Sequence, residues 1–215
     1  MTVKMISVTP DAEKLISFIA RVSSDNQDNP EYEKLLAYCL KKGHFSVFEM
    51  ADLTVEIQTT RDISAQILRH KSFSFSEFSQ RYQVVSDPIE LADTRLQDAK
   101  NRQNSLECEN PATKALWLQI QDETYSACMA AYQAALSLGI AKELARKVLP
   151  LQAPTRLYVK GSIRSWIHYC SVRCDSSTQK EHRDIARDVW SIVRREMATL
   201  ACAAEQVYPT LRGEE

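Results

Sequence analysis

Apolar and polar residues alternate with a period of two in the segment DLTVEIQT, where polar side chains separate Leu53, Val55 and Ile57. This alternation is typical of a β-strand with one buried face. Residues 3–8 and the segment TRLYVK, residues 155–160, are also predicted to be strands. The pattern therefore predicts a β-sheet as one part of the fold.

Apolar residues three or four positions apart predict helices along most of the remaining chain. Pro10 and Pro30 stand where helices commonly begin, while Gly43 and Pro150 stand where helices commonly end. Thr178 and Glu181 have the spacing of a capping box at the start of the last helix. The predicted helices cover residues 10–24, 30–43, 61–71, 112–139, 141–149, 162–173 and 178–205.

Residues 86–111 are polar and contain few large apolar side chains, which predicts a long loop or a partly ordered excursion. The chain shows no internal repeat and no clear boundary. We therefore expect one helix-rich α/β (α+β) domain over residues 1–215, with a central and mainly antiparallel sheet.

The charge balance narrows the possible partners. With 27 basic and 28 acidic residues the net charge is −1, which argues against a general nucleic-acid or membrane-surface binder. No run of apolar residues approaches the length of a membrane span, and the segment MTVKMISVTP has no signal-peptide core. The six cysteines are scattered, so we expect reduced thiols and a cytoplasmic location.

Glycine is scarce, with four residues at positions 43, 139, 161 and 213. Neither a GxGxxG nor a GxxxxGK[ST] sequence occurs, so the fold is not expected to be of the Rossmann or P-loop type. If the protein binds a phosphate-bearing ligand, side chains must supply most of the hydrogen-bond donors.

The segment RHKSFSFSEFSQRY, residues 69–82, concentrates positive charge in a nearly neutral protein. On a helix over residues 61–70, Gln66 would share a face with Arg69 and His70. Guanidinium groups bind phosphate with two hydrogen bonds, and an amide can recognise the edge of a base. The residue types alone fit equally well a pocket for a small anion and a solvated basic helix end.

The order of the residues resembles a known family. Arg69-His70-Lys71, seven further residues and Ser79 match the Arg-His-Arg, seven residues, Ser signature of flavin-dependent thymidylate synthases. The segment HFSVFEM resembles the His-x-x-x-Phe-Glu segment of that family. The C-terminal nucleotide-binding segments of the family have similar counterparts here in ARKVLP and RSWIHYCSVRCDSSTQKE.

The sequence departs from the family pattern at four positions. Lys71 replaces the third motif residue, Arg, and keeps the charge but not the two-pronged geometry. His168 stands where the family often has Asn, Ser162 lies near a second Asn position, and Ser177 lies near a His position.

The resemblance implies an enzyme that makes dTMP from dUMP, with 5,10-methylenetetrahydrofolate as carbon donor. FAD would be the cofactor, NADPH would reduce it, and the protein would be a homotetramer with sites shared between subunits. It implies FAD contacts at eight residues: Ser46, Arg69, His70, Lys71, Glu77, Ser162, Arg164 and His168. It implies dUMP contacts at eight: Gln66, Arg69, Glu77, Ser79, Gln80, Arg81, Arg146 and Arg173.

Two of these residues have implied roles in the chemistry. Arg173 matches the family Arg before the Cys-Asp-Ser segment and would stabilise negative charge on the uracil. Ser79 has no evident general base nearby except His70, so we expect it to donate to the phosphate rather than to act as a nucleophile.

Three other functions remain open from the sequence. A related dUMP-modifying activity such as hydroxymethylation would use the same cofactor and nucleotide. A zinc site could use His168, Cys170, Cys174 and His182, although no CxxC is present, and we expect no metal. A nucleic-acid reader on the helix at 61–71 is disfavoured by the neutral net charge.

Overall fold

The computed structural model describes residues 1–213, which form a helix-rich fold with an antiparallel sheet. The strands are β1 (Thr2–Val8), β2 (Asp52–Thr60), β3 (Ser74–Glu77), β4 (Arg95–Gln97), β5 (Ser105–Glu107) and β6 (Pro154–Ser162). Four of them form a sheet in the order β1-β2-β6-β3, and β4 pairs with β5. The predicted fold class is confirmed.

The helices are α1 (Ala12–Ala20), α2 (Glu33–Lys42), α3 (Arg61–Ile67), α4 (Pro111–Ser137), α5 (Lys142–Ala145), α6 (Ile163–Arg173), α7 (Lys180–Glu196) and α8 (Ala198–Val207). Gly43 ends α2 in the left-handed conformation at φ 72°, as the Gly stop signal predicted. Among the helices of residues 1–213, none has a stretch both long and apolar enough to cross a bilayer.

The chain divides into two structural units. The first contains Met1–Ile57, Gln66–Ser76 and the chain from Leu157 onward, and the second contains Gln58–Ala65 and Glu77–Arg156. That residues 1–215 form one domain stays a prediction.

The core of the first unit fixes the position of α6. Leu53 and Val55 are buried on one face of β2, and the buried Trp166 donates its indole N–H to the carbonyl of Leu53 at 2.9 Å. The ring of Phe73 packs 4.3 Å from the Trp166 ring, measured between centroids. A Cβ atom at Gly161 would lie 2.3 Å from that Phe73 ring, so only glycine fits this close approach.

The second unit is built on α4. The Asn110 side chain caps this helix by accepting from the backbone N–H groups of Ala112 and Thr113. Tyr132 is fully buried in a cluster with Val85 and Ala145.

The segment at residues 86–111, predicted to be a long loop or a partly ordered excursion, contains regular structure. It contains the hairpin of β4 and β5, in which Arg95 is opposite Glu107 and Leu96 is opposite Leu106. Each strand has only three residues, which is too short for an alternating pattern to be recognisable in the sequence.

Three predicted helices are shorter than expected, and the first, predicted over 10–24, covers only Ala12–Ala20. The helix predicted over 61–71 stops at Ile67, and the backbone N–H groups of Arg69 and His70 bond to carbonyls three residues earlier. The segment at 141–149 is split into α5 and a 3-10 turn over Arg146–Val148.

The predicted last helix is also different in detail. The capping box is wrong, because α7 begins at Lys180 and the Thr178 hydroxyl donates to the carbonyl of Val172 at 3.4 Å. The helix predicted to reach residue 205 is interrupted at Met197, whose extended φ of −142° separates α7 from α8. The Met197 side chain is buried, so it packs in the core at the residue where the helix is interrupted.

Candidate active site

The predicted site residues near the end of α3 do not share a helix face, because the helix ends before two of them. Gln66 lies in its last turn, whereas Arg69 and His70 lie in the turn that follows. The Arg69 and Lys71 side chains are exposed, and His70 is half-buried. The prediction of one shared helix face is therefore wrong, but Gln66 and His70 both lie near His182, whose ring centroid is 6.2 Å from that of His70.

His70 is brought to the C-terminal end of α6. The Arg173 Nε–H donates to His70 Nε2 at 3.0 Å, although the two residues lie 103 positions apart. Burial, together with the positive charges of Arg173 and His168, lowers the pKa of His70 to about 4. His70 is therefore neutral near pH 7, accepts at Nε2 and carries its proton on Nδ1.

This contact orients the guanidinium of Arg173. It occupies the Nε–H and leaves the four N–H groups of the two terminal nitrogens for other acceptors. Arg173 is half-buried, so its charge is less screened by water than that of a surface arginine. Such a group suits stabilisation of an anion that forms during a reaction.

Gln66 belongs to a chain of polar side chains that the sequence did not predict. Its Oε1 lies 3.3 Å from His182 Nδ1, and its Nε2 donates to Gln179 Oε1 at 2.7 Å. The other ring nitrogen of His182 lies 3.1 Å from the hydroxyl of Tyr169. Burial, followed by the charges of Arg173, His70 and Arg69, lowers the pKa of His182 to about 3. His182 is thus neutral and fully buried.

A sequence signal for His182 existed. His182 lies three residues before Ile185 and seven before Val189, on the apolar face of α7. A polar residue on a buried helix face needs hydrogen-bond partners, but the sequence does not say which residues provide them.

The N-terminal half of α6 presents predicted flavin-binding residues at the surface. Arg164 pairs with Glu49 at 2.9 Å and lies 5.7 Å above the ring of Phe45. His168, one turn further along α6, is exposed. Ser162 caps the helix by accepting from the backbone N–H of Ser165 at 3.2 Å. Ser46 is exposed in the 3-10 turn over Phe45–Glu49.

In the second unit, three side chains hold the carboxylate of Glu77. Its Oε1 accepts from Arg61, from the Ser64 hydroxyl at 2.6 Å and from the Thr155 hydroxyl at 3.0 Å. Burial raises the pKa of Glu77, but the bonds from Arg61 and Ser64 outweigh it and the pKa falls below its ordinary value. Within residues 1–213 no donor reaches Oε2, so an ionised carboxylate oxygen remains for a ligand.

The predicted phosphate-binding residues of the second unit follow Glu77. Ser79 and Arg146 are half-buried, and Arg81 forms an exposed ion pair with Glu143 at 3.2 Å. Gln80 is buried, and its Nε2 has no hydrogen-bond partner in the part of the chain that the structure describes. Buried polar groups are rarely left without a partner, so this amide is a candidate ligand donor.

The cysteines and histidines proposed for zinc are not arranged as a metal site. Cys170, Cys174 and His182 are buried while His168 is exposed, and the Cys170 thiol lies 3.6 Å from the carbonyl of Ala186. Within residues 1–213 no group of three or more His, Cys, Asp or Glu side chains is placed to hold a metal ion.

Comparison with known proteins gives three findings. The family model "Thymidylate synthase complementing protein" (Thy1) matches residues 4–198. A flavin-dependent thymidylate synthase from Synechocystis sp. is 54% identical over 90% of this chain and 89% of its own length. A probable flavin-dependent thymidylate synthase from Paramecium bursaria Chlorella virus 1 is 44% identical over 96% of this chain and 100% of its own.

The fold also has a close match among solved structures. The UMP/dUMP methylase PolB from Streptomyces cacaoi, solved with 5-Br dUMP, superimposes with a TM-score of 0.85 and covers 97% of this chain and 96% of its own. The two sequences are 22% identical, so this likeness concerns the fold.

Proposed function

Because the chain belongs to the family of flavin-dependent thymidylate synthases, we propose that it methylates dUMP to dTMP with 5,10-methylenetetrahydrofolate as carbon donor. FAD is the proposed cofactor and NADPH its reductant. The observation that carries the proposal is the Arg173 guanidinium, oriented by a neutral His70 through the 3.0 Å bond between their side chains.

The residues of the second unit fit a nucleoside monophosphate. Arg81, Arg146 and the Ser79 hydroxyl provide charge and a donor for the phosphate. The Arg81–Glu143 pair is exposed, and such pairs contribute about 1 kcal/mol or less, so a phosphate can replace the glutamate. Glu77 offers Oε2 to a sugar hydroxyl, and the unpartnered amide N–H of Gln80 offers a further donor.

Arg173 supports the chemical step. The reduced flavin supplies a hydride when it is bound. Addition of this hydride at C6 of the uracil would place negative charge on C5 and, by conjugation, on the C4 carbonyl oxygen. A fixed guanidinium stabilises that charge more than it stabilises neutral uracil, and this difference lowers the barrier. The scheme needs no covalent bond to Ser79, consistent with its proposed role as a phosphate-side donor.

The first unit fits a dinucleotide that meets side chains instead of a glycine-rich loop. Within residues 1–213 neither Arg69 nor Lys71 has an acidic partner, and both are exposed. Ser46, Ser162, Arg164 and His168 add hydroxyl, cationic and imidazole groups at the surface. We assign these residues, with His70 and Glu77, to FAD.

Replacing Arg69 by Ala should weaken FAD binding by about tenfold to a hundredfold, since a charge-assisted hydrogen bond contributes about 1.5–3 kcal/mol. Lys71→Arg should bind FAD as well as the wild type or better, because Arg restores the two-pronged contact. Fluorescence titration of the apoprotein with FAD measures both affinities. Lys147→Ala, which removes an exposed cation in the second unit, is the control. Unchanged affinity in Arg69→Ala would place the cofactor elsewhere.

We expect a cytoplasmic homotetramer that shares its sites between subunits. The long helix α4 supports self-association, because it exposes Leu116, Trp117, Leu118 and Ile120. Light scattering with absorption detection should show a yellow species of four-chain mass. That species should convert dUMP to dTMP when given methylenetetrahydrofolate and NADPH. A colourless protein would contradict the proposed FAD cofactor, and an active monomer would contradict the proposed homotetramer. Formation of 5-hydroxymethyl-dUMP would indicate the related hydroxymethylation activity.

A further inference from the structure

We propose that Tyr169 and His182 are positioning residues that fix the amide of Gln66 so that its NH₂ group, and not its carbonyl oxygen, is directed away from His182 and offers the nucleotide an N–H donor. The inference rests on the proposed function, in which Gln66 contacts dUMP. It adds two buried residues of α6 and α7 to the recognition of the substrate and assigns a polarity to the contact.

The carboxylate of Glu181 sets the direction of the hydrogen-bond chain. An ionised carboxylate only accepts, so Gln179 must direct its NH₂ to Glu181 Oε2, at 3.0 Å. Its Oε1 then faces Gln66 Nε2 at 2.7 Å and accepts from it. The carbonyl oxygen of Gln66 is consequently directed at His182.

The buried end of the chain reinforces the same direction. Oε1 of Gln66 cannot donate, so His182 carries its proton on Nδ1 and accepts at Nε2. The Tyr169 hydroxyl donates to that nitrogen at 3.1 Å. Burial raises the pKa of Tyr169 well above its ordinary value, so the hydroxyl keeps its proton.

Reversing the Gln66 amide would break this sequence of donors and acceptors. Two carbonyl oxygens would then face each other at Gln66 and Gln179 unless Gln179 also turned. Turning Gln179 would place its oxygen against the carboxylate of Glu181. At the other end the buried Tyr169 hydroxyl would lose its acceptor, which is costly in the interior.

The fixed amide directs an N–H donor toward a ligand. Gln66 Oε1 faces the buried His182, and one hydrogen of Nε2 is donated to Gln179. Gln66 is half-buried, so the second hydrogen of Nε2 is the group available to bind an oxygen acceptor of the nucleotide. Tyr169 and His182 act through Gln66, and neither is assigned a contact with the substrate.

The test is Tyr169→Phe, which removes one hydroxyl and keeps the ring. His182 then loses the donor that holds its tautomer, and the Gln66 amide is held only by the exposed side chain of Gln179, which can turn in solvent together with it. We expect the Kd of dUMP for the flavin-loaded protein, measured by calorimetry, to rise about fivefold, the factor that corresponds to one net hydrogen bond. KM for dUMP should rise equally, while kcat and flavin content stay at the wild-type values.

Tyr132→Phe is the matched control. Tyr132 is also fully buried, and its hydroxyl accepts from the backbone N–H of Val85 at 3.2 Å in the second unit. This variant should lose stability in urea while binding dUMP like the wild type. Glu181→Gln, which can donate as well as accept, is a second test at the exposed end and should raise the Kd in the same way.

The outcomes separate this inference from the proposed function. Wild-type protein that fails to bind dUMP overturns both. If wild-type protein binds dUMP but Tyr169→Phe and Glu181→Gln keep its Kd and KM, the positioning role is overturned alone. A Tyr169→Phe protein that does not fold leaves the decision to Glu181→Gln.

Discussion

Arg173→Lys should lower the turnover of dUMP to dTMP by about two orders of magnitude, the scale expected for loss of one preorganised oxyanion donor. Lysine keeps the positive charge but has a single ammonium on a flexible stem. It cannot donate to His70 Nε2 from a planar group while presenting two further nitrogens to the uracil. The loss should fall on kcat, because the interaction is strongest with the charge that forms during the reaction.

The experiment compares the rate of dTMP formation from dUMP in a single turnover with the rate at which NADPH reduces the flavin. We expect the Arg173→Lys protein to keep its flavin and to be reduced by NADPH at the wild-type rate, while dTMP appears slowly. Arg195→Lys is the control: Arg195 pairs with the adjacent Glu196 at 2.7 Å in the last turn of α7. Normal dTMP formation, or loss of the flavin, would show that Arg173 has a different role.

The main elements of the fold could be predicted because their signals are local. β2 carries an alternating pattern whose Leu53, Val55 and Ile57 are all buried. In α6 the predicted stripe of Ile163, Trp166, Ile167 and Cys170 is buried as well. In both cases one face of a regular element meets the core, and periodicity records which face it is.

The boundaries were less predictable because tertiary interactions decide them. The end of α3 at Ile67 carries no glycine or proline signal, and the chain that follows packs Phe73 against Trp166, a residue far away in the sequence. Thr178 and Glu181 have capping-box spacing, but Thr178 bonds to Val172 instead. A side chain in such a short-range motif has several hydrogen-bond partners within reach, and the rest of the fold decides which one it uses.

The site was only partly predictable for a related reason. A family resemblance identifies residues by position, so it pointed to Gln66, His70 and Arg173 without showing their partners. The bond between His70 and Arg173 joins residues 103 positions apart, and the contact between Gln66 and His182 joins residues 116 apart. The sequence indicates His182 only as a possible metal ligand, whereas in the structure its ring contacts the Gln66 amide.

The buried His182 and the half-buried His70 should also make the protein sensitive to acid. The pKa of His70 is lowered to about 4 and that of His182 to about 3, against an ordinary value of 6.5 that applies to the unfolded chain. Between the ordinary pKa and the lowered folded-state pKa of each histidine, the unfolded state binds more protons than the folded state. The free energy of unfolding therefore falls as the pH falls through this range. The slope is up to about 1.4 kcal/mol per pH unit for each histidine. We expect a loss on the order of 3 kcal/mol between pH 7 and pH 5.

Urea unfolding at fixed protein concentration across this range measures the effect, and constant concentration is needed because assembly also contributes to stability. The range ends at pH 5 because ordinary carboxylates begin to titrate below it. His182→Gln and His70→Gln should each be less stable than the wild type at pH 7 but should lose less stability on acidification, because each removes one proton-binding difference. His44→Gln, at an exposed position, should keep the wild-type slope.

A wild-type protein with constant stability from pH 7 to pH 5 would mean that water or a conformational change lets these histidines ionise within the fold. The neutral acceptor that orients Arg173 would then be lost in mild acid without unfolding, and activity would decline over the same range.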